Sequence, residues 1–254
     1  MTNKRIEIGK VTSCVLSLLL LVAPAALAAY KPPPEQKPAP KDTRSDAGTT
    51  RGCGEGEIPP TVLASRNYIG QTSATHPTFA WFVPDSKPLP MKFLLYGFDP
   101  DGKPQELYQT SLRTSPGIMT LSPFAEDEPG LEAGKTYLWQ VVIFCIPDEP
   151  SSALVDRASF EVVPISADVQ KDLNQTGDSV KKADVYAEAG LWYDALGEAL
   201  KLAPGAKLGE VGSNLLQDLA QWETPPKESE LSPQERQNLE KRIENLRQIA
   251  NSAR

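Results

Sequence analysis

LEAGKTYLWQVVIFC, residues 131–145, is the stretch of the sequence that decides the fold. Successive side chains of a β-strand point to opposite faces of the sheet, so this run presents two surfaces. The odd-numbered positions from 137 to 145 are aromatic, β-branched or thiol side chains: Tyr137, Trp139, Val141, Ile143 and Cys145. This set predicts the face of a strand that is buried in a core.

The residues before the strand carry a second signal. Leu131 and Gly134 precede Tyr137 by six and three positions. This spacing resembles the tyrosine corner of immunoglobulin-like and fibronectin type III sandwiches, in which a tyrosine at the start of strand F bonds to backbone. The alternative is one buried strand of an ordinary sheet. The resemblance implies an immunoglobulin-like antiparallel β-sandwich.

Residues 53–164 contain further short runs of strand character, separated by proline and glycine turns. We predict seven strands: Thr61–Leu63, Thr78–Pro84, Met91–Phe98, Glu106–Leu112, Gly117–Leu121, Tyr137–Cys145 and Ala158–Val163. The chain then changes to helical periodicity, which gives an α+β class with a small α-helical region after the sandwich.

Two neighbouring strands of the predicted sandwich are apolar on both faces. The outward set includes Leu94 and Tyr96 on one strand and Leu138 and Phe144 on the other. An antiparallel sheet with one solvated face normally alternates apolar and polar residues. We therefore expect a cover over this face, either the helical part of the same chain or a bound partner.

Residues 165–222 are predicted to form a helical region. Gly177 divides its first apolar stripe, and Asp178 or Ser179 can cap the second helix. Residues 183–204 resemble part of a tetratricopeptide repeat, but no second copy follows, so we predict a helical hairpin. Trp192 and Tyr193 in this hairpin either pack in the core or form an aromatic binding platform beside the sandwich.

Residues 223–254 are predicted to form a linker and an amphipathic helix. Ser232 and Glu235 match a capping box, with Pro233 at the first helical position. A stripe of about two heptads follows, which docks on its own domain, stays mobile or pairs with a second copy. The oligomeric state stays open.

Residues 1–29 resemble a secretory signal peptide. Basic residues precede an apolar stretch, and Ala26, Leu27 and Ala28 form an A-x-A site with cleavage after Ala28 or Ala29. The apolar stretch is shorter than the ~20 residues of a membrane span, so no span is expected after cleavage. Residues 30–52 are rich in proline and polar residues, which predicts a disordered linker.

The charge and the cysteines agree with export. Removing the signal changes the net charge from −7 to about −9, which argues against nucleic acid as a partner. Cys53 and Cys145 remain as an even pair, which predicts a disulfide in an exported protein. The alternative is that the two cysteines bind a metal or that one is a catalytic thiol. Together with His76, the single histidine, they would make a poor set of metal ligands.

No motif in the sequence predicts catalysis. There is no G-x-S-x-G elbow, Walker loop or dinucleotide fingerprint. Asp99 to Gly102 matches the start of a calcium loop without its later ligands, and Ser179 to Lys182 matches S-x-x-K without partner motifs. We therefore predict no catalytic residues, no metal and no cofactor.

Three motifs resemble a bacterial family that is known only as a domain of unknown function, number 928. They are HPTFAWFVP at His76–Pro84, YLWQVVIFC at Tyr137–Cys145 and YAEAGLWYDAL at Tyr186–Leu196. The resemblance covers about two thirds of the chain, from Cys53 to Trp222. It implies an exported bacterial protein and implies no activity, substrate or catalytic residue.

Together these observations predict a periplasmic or extracellular protein that is not an enzyme. The leading hypothesis is a binding or scaffolding protein of the cell envelope, with another envelope protein as its partner. The alternative is a periplasmic hydrolase or an accessory subunit of one. The binding surface is expected around Leu94, Tyr96, Leu138 and Phe144, or near Trp192 and Tyr193.

Overall fold

The structure is a computed structural model and describes residues 29–40, 53, 58–147, 149–203, 205–223 and 231–254. Strands come first along the chain and helices follow. The strands are β1 (Thr61–Val62), β2 (Gly70–Thr72), β3 (Phe79–Val83), β4 (Pro90–Phe98), β5 (Pro104–Arg113), β6 (Gly117–Leu121), β7 (Thr136–Phe144) and β8 (Ala153–Val162). The helices are α1 (Ala167–Asn174), α2 (Ser179–Glu188), α3 (Trp192–Leu202), α4 (Gly209–Trp222) and α5 (Pro233–Ser252).

The strands form two sheets, in the orders β1-β3-β6 and β2-β8-β7-β4-β5. All pairs are antiparallel except β2 with β8, which is parallel. The predicted α+β class is confirmed. The three-residue strand β2 was missed because Gly-Gln-Thr carries neither the alternation nor the β-branched content that marks a strand.

Strand β7 lies in the middle of the larger sheet, between β4 and β8. Its inward side chains Tyr137, Trp139, Val141 and Ile143 are at most 3% exposed, as their alternation predicts. Trp139 contacts the rings of Phe79, 5.0 Å away on β3, and Phe93, 5.9 Å away on β4. The core therefore lies between the two sheets, around the strand that the sequence singled out.

The tyrosine at the start of β7 makes the hydrogen bonds that its spacing predicts. Its hydroxyl accepts a hydrogen bond from Glu132 N at 2.9 Å and donates to Glu132 O at 3.3 Å. Gly134 between them has φ +80°, a left-handed conformation that favours glycine. These contacts hold the turn that leads into β7.

Replacing Tyr137 by Phe should lower the free energy of unfolding by about 1 kcal/mol. The backbone groups of Glu132 lose their partner, whereas the ring keeps its stacked contact with Phe160 at 5.5 Å. Urea unfolding measures the change. Tyr108→Phe, which removes a hydroxyl from a half-buried tyrosine that packs against the core, is the control and should change stability little. Equal losses for both variants would contradict a specific role of Tyr137.

Helix α3 closes the space between the two sheets on the side of β1 and β2. Tyr193 contacts the rings of Phe79 and Phe160, and its hydroxyl accepts a hydrogen bond from Trp139 Nε1 at 3.0 Å. The neighbouring Trp192 donates from Nε1 to Leu63 O at 2.8 Å. Sandwich and helices therefore share one continuous hydrophobic core.

The first residues of the predicted linker are ordered against the domain, which corrects the expectation for residues 30–40. Tyr30 is fully buried, Lys31 N donates to Ala187 O at 3.1 Å, and Pro38 forms an antiparallel bridge with Tyr68. Proline lacks an N–H donor, yet its fixed φ suits an extended segment at a sheet edge. Residues 41–52 lie outside the described residues.

The C-terminal helix α5 begins at the predicted capping box. Ser232 Oγ accepts from Glu235 N, and Glu235 Oε2 accepts from Ser232 N at 2.8 Å. Leu246, Ile249 and Ala250 are fully buried, and the helix packs extensively on α4. Of the alternatives for this helix, the structure shows docking on its own domain.

A cluster of buried charges joins the helices to the sandwich. Arg242 on α5 donates to Val62 O, Ala64 O and Glu223 Oε2, and it lies 3.6 Å from Asp156 on β8. Asp156 also accepts from Val62 N at 2.8 Å. Charged groups this deep in a protein need such partners to offset their lost hydration.

Candidate functional site

The candidate site is the face of the five-stranded sheet that points away from the core. We call it the outer sheet face and define it by residues of β4, β7 and β8: Leu94, Tyr96, Leu138, Gln140, Val142, Phe144 and Arg157. Register places Tyr96 opposite Leu138, and Gln140 between Leu94 and Arg157. Their common side follows from the two-residue period of a strand.

The four residues predicted for this surface lie on the same face but differ in exposure. Leu94 and Leu138 are only 7% and 6% exposed, whereas Tyr96 and Phe144 are half-buried. Leu94 and Leu138 lie on adjacent, inner strands of the sheet, where long neighbouring side chains can cover them. The accessible apolar groups of the outer sheet face are therefore Tyr96, Val142 and Phe144.

Polar groups lie among these apolar side chains. Gln140 Nε2 is 3.4 Å from the hydroxyl of Tyr96, and both residues are half-buried. Burial raises the pKa of Tyr96, the charge of Glu106 raises it further, and the charge of Arg157 opposes both. The hydroxyl is thus a neutral donor and acceptor at physiological pH. Tyrosine and arginine beside apolar groups are typical of protein-binding surfaces.

Of the two covers expected for this face, the helical one is corrected, because the described helices pack elsewhere. Their main contacts with the sandwich run through β2, the backbone of Leu63 and the inward ring of Trp139. The apolar face of α3 fills the opening of the core, where Trp192, Tyr193 and Leu196 are removed from water. Within the described residues, the outer sheet face keeps Tyr96, Val142 and Phe144 partly exposed.

The aromatic pair on α3 is buried and does not lie on the protein surface. Trp192 and Tyr193 are 1% and 2% exposed, so they cannot form the binding platform considered above. They pack in the core, which was the alternative prediction. The neighbouring Asp194 accepts hydrogen bonds from Ser73 N at 2.9 Å and Ser73 Oγ at 2.8 Å. Burial raises the pKa of Asp194, and these hydrogen bonds oppose the shift. The three residues fasten the helices to the sandwich.

Cys53 and Cys145 form the predicted disulfide, with their Cα atoms 5.0 Å apart. The bond joins the residue after β7 to a residue that precedes β1 along the chain. It therefore fixes the end of the strand that carries Phe144, and with it one end of the outer sheet face.

A second concave surface was missed from the sequence. Helices α1 and α2 enclose an open cleft of about 420 Å³ that is lined by Asp172, Gln175, Thr176, Lys181, Asp184, Val185 and Glu188. No motif marks these residues, five of which lie on α1 and α2 and two in the turn between the helices. Among the described residues, no group of three or more His, Cys, Asp or Glu side chains is placed to hold a metal ion.

The described part of the chain contains no helix with the length and apolar character of a bilayer span. The predicted signal peptide comprises residues 1–29. Of these, only the last residue, Ala29, lies within the described residues.

Comparison with known proteins assigns the chain to a family. No curated protein of similar sequence was found. A family model described as Domain of Unknown Function (DUF928) matches residues 46–223, which contain both sheets, the outer sheet face, the disulfide and helices α1 to α4. The match covers well over half of the chain, so the protein belongs to the DUF928 family.

Proposed function

We propose that this protein is an exported, non-catalytic binding or scaffolding protein of the bacterial cell envelope. In this proposal the outer sheet face binds another envelope protein. The observation that carries the proposal is the half-buried aromatic and apolar group of Tyr96, Val142 and Phe144, which neither sheet nor helix covers completely. A solvated sheet face normally carries polar residues at such positions.

We further propose that the sandwich is immunoglobulin-like and that α2 and α3 form a tetratricopeptide-like hairpin. The strand orders and the hydrogen bonds of Tyr137 support the first assignment. The packing of α2 on α3, joined by a turn in which Gly190 has φ +78°, supports the second. A rigid sandwich braced by a helical layer presents a sheet face of fixed shape.

Export to the periplasm or beyond is part of the proposal. The disulfide supports it, because such bonds form and persist in oxidising compartments. The basic and apolar pattern of residues 1–29 supports it as well. Fractionation of cells that express the full chain, followed by thiol labelling with and without reductant, tests both points.

We expect the outer sheet face to crosslink to a specific partner. A photoreactive amino acid placed at position 144 of the full chain should capture one defined envelope protein, because Phe144 is half-buried at the edge of the apolar group. The same probe at Leu202, which is 47% exposed at the end of α3, is the control and should not capture it. Full-length chains are used because truncation after β8 would remove Tyr193 from the core.

Binding of the purified partner should then depend on the same side chains. Tyr96→Ala combined with Phe144→Ala should weaken affinity at least about tenfold, since aromatic residues dominate protein interfaces. Leu202→Ala is the matched control. Equal affinity of both variants would contradict the proposed face.

Turnover of chromogenic esters, phosphates or glycosides that survives repurification and depends on one side chain would favour the hydrolase alternative instead.

A further inference from the structure

Tyr30 marks the point at which the described chain enters the protein interior. Ala29 before it is exposed, whereas Tyr30 is 0% exposed. Its ring lies edge-on to Trp192 at 4.9 Å, its hydroxyl is 3.2 Å from that of Tyr68, and its carbonyl accepts from Trp222 Nε1 at 2.8 Å. The hydroxyl and the carbonyl of Tyr30 therefore each have a hydrogen-bond partner.

The backbone nitrogen of Tyr30 meets a carboxylate. It donates a hydrogen bond to Asp218 Oδ2 on α4 at 2.9 Å. Asp218 is half-buried, and burial raises its pKa while the hydrogen bond from Tyr30 lowers it. Within the described ranges the structure shows no cationic side chain in an ion pair with Asp218. A nearby positive charge stabilises a carboxylate that is partly removed from water.

The predicted cleavage site supplies that charge. The A-x-A pattern places the cut after Ala28 or after Ala29. Hydrolysis of either bond consumes one water, leaves a carboxylate on the signal fragment and leaves an amino group, protonated at neutral pH, on the remaining chain. That ammonium is then the nitrogen of Tyr30 itself or the nitrogen of Ala29, one residue before it.

We infer that Asp218 is the counter-ion of the mature N terminus, which signal cleavage creates at Ala29 or Tyr30. Before cleavage this carboxylate accepts a hydrogen bond from a neutral amide. Cleavage places a positive charge on that nitrogen or on the one before it, so the attraction between opposite charges is added to the hydrogen bond. Export thereby strengthens the contact between Tyr30 and α4. The inference rests on the proposed export of the protein.

Two positions of the N terminus test the ion pair. The full-length gene is exported as it stands and with Gly-Ser inserted between Ala29 and Tyr30, so that cleavage leaves the ammonium two residues further from Asp218. Asp218→Asn, which keeps the shape of the side chain, is made in both chains. Glu210→Gln removes the same charge from the first turn of α4 and is the matched control.

We expect N-terminal sequencing to find Ala29 or Tyr30 as the first residue of the exported protein. Asp218→Asn should lower Tm by about 2–4 °C more in the chain without the insertion than in the inserted chain. Glu210→Gln should have equal effects in both. If D218N does not fold, the salt dependence of the two chains that keep Asp218 tests the inference instead. The difference in Tm between the chain without the insertion and the inserted chain should become smaller when salt is raised from about 0.05 M to 1 M.

Several results would overturn the inference. They are a first residue other than Ala29 or Tyr30, equal losses from D218N in both chains, or a Tm difference that does not change with salt. Fractionation separates these failures from failure of the proposed function. A chain found in the envelope that gives any of them refutes only the ion pair, whereas a chain found in the cytoplasm refutes export and the inference together.

Discussion

Replacing Cys53 and Cys145 together by serine is expected to lower the free energy of unfolding by about 4–5 kcal/mol in the chain-entropy model. The bond closes a loop with a sequence separation of 92 residues that contains β1 to β7. Without it the unfolded chain gains the conformations that the loop excludes. A loss of this size is comparable to the whole stability of many domains.

Denaturant unfolding of the exported protein, with and without reductant, measures this effect. Either single serine variant should equal the double variant, because one missing cysteine already removes the bond; this equality is the internal control. The reduced wild type should agree with all three. A midpoint and slope that reductant leaves unchanged would show that the bond does not stabilise the folded protein.

Arg242→Met is expected to lower the free energy of unfolding by about 3–5 kcal/mol, because it leaves the buried carboxylate of Glu223 without its cationic partner. The guanidinium donates to Glu223 Oε2 at 3.1 Å and to Ala64 O at 2.7 Å, and Glu223 is 0% exposed. Burial lowers the pKa of Arg242, and the charges of Glu223 and Asp156 oppose this shift. Methionine keeps much of the volume and loses every one of these contacts.

Arg247→Met is the matched control, since Arg247 lies on the exposed side of the same helix. It should change stability by less than about 0.5 kcal/mol. A double-mutant cycle with Glu223→Gln adds a second test: because Gln removes the uncompensated charge, Arg242→Met should cost less in that background. A loss below about 1 kcal/mol for Arg242→Met would mean that water already reaches the charge cluster.

The sequence alone predicted the parts of this protein that depend on local patterns. Alternation over residues 137–145 identified the central strand and its buried face. The spacing before Tyr137 predicted a hydrogen bond back to the backbone, and the structure shows that Glu132 is the partner. The count of cysteines predicted the disulfide. Ser232 caps α5 as expected, and of the two candidates Asp178 and Ser179 it is Asp178 that caps α2. Each of these features depends on the type and spacing of a few residues, which the sequence displays directly.

The position of the helices was decided by tertiary structure. An amphipathic pattern shows that a helix has an apolar face, but it does not show which surface that face covers. The pattern predicted a cover over Tyr96 and Phe144, whereas α3 packs into the opening between the sheets, where Tyr193 reaches Trp139. The outer sheet face is therefore a candidate site only because the helices pack elsewhere.

The N-terminal segment and the charge cluster illustrate the same limit. The prolines of residues 30–40 indicate an extended chain without a core of its own, and the structure supplies partners from distant residues. Tyr30 N meets Asp218, 188 positions away, and Arg242 meets Val62 O, 180 positions away. The sequence determined which local conformations are favourable. Only the tertiary structure decided which surfaces meet, because burial of apolar area and pairing of buried charges depend on contacts between remote residues.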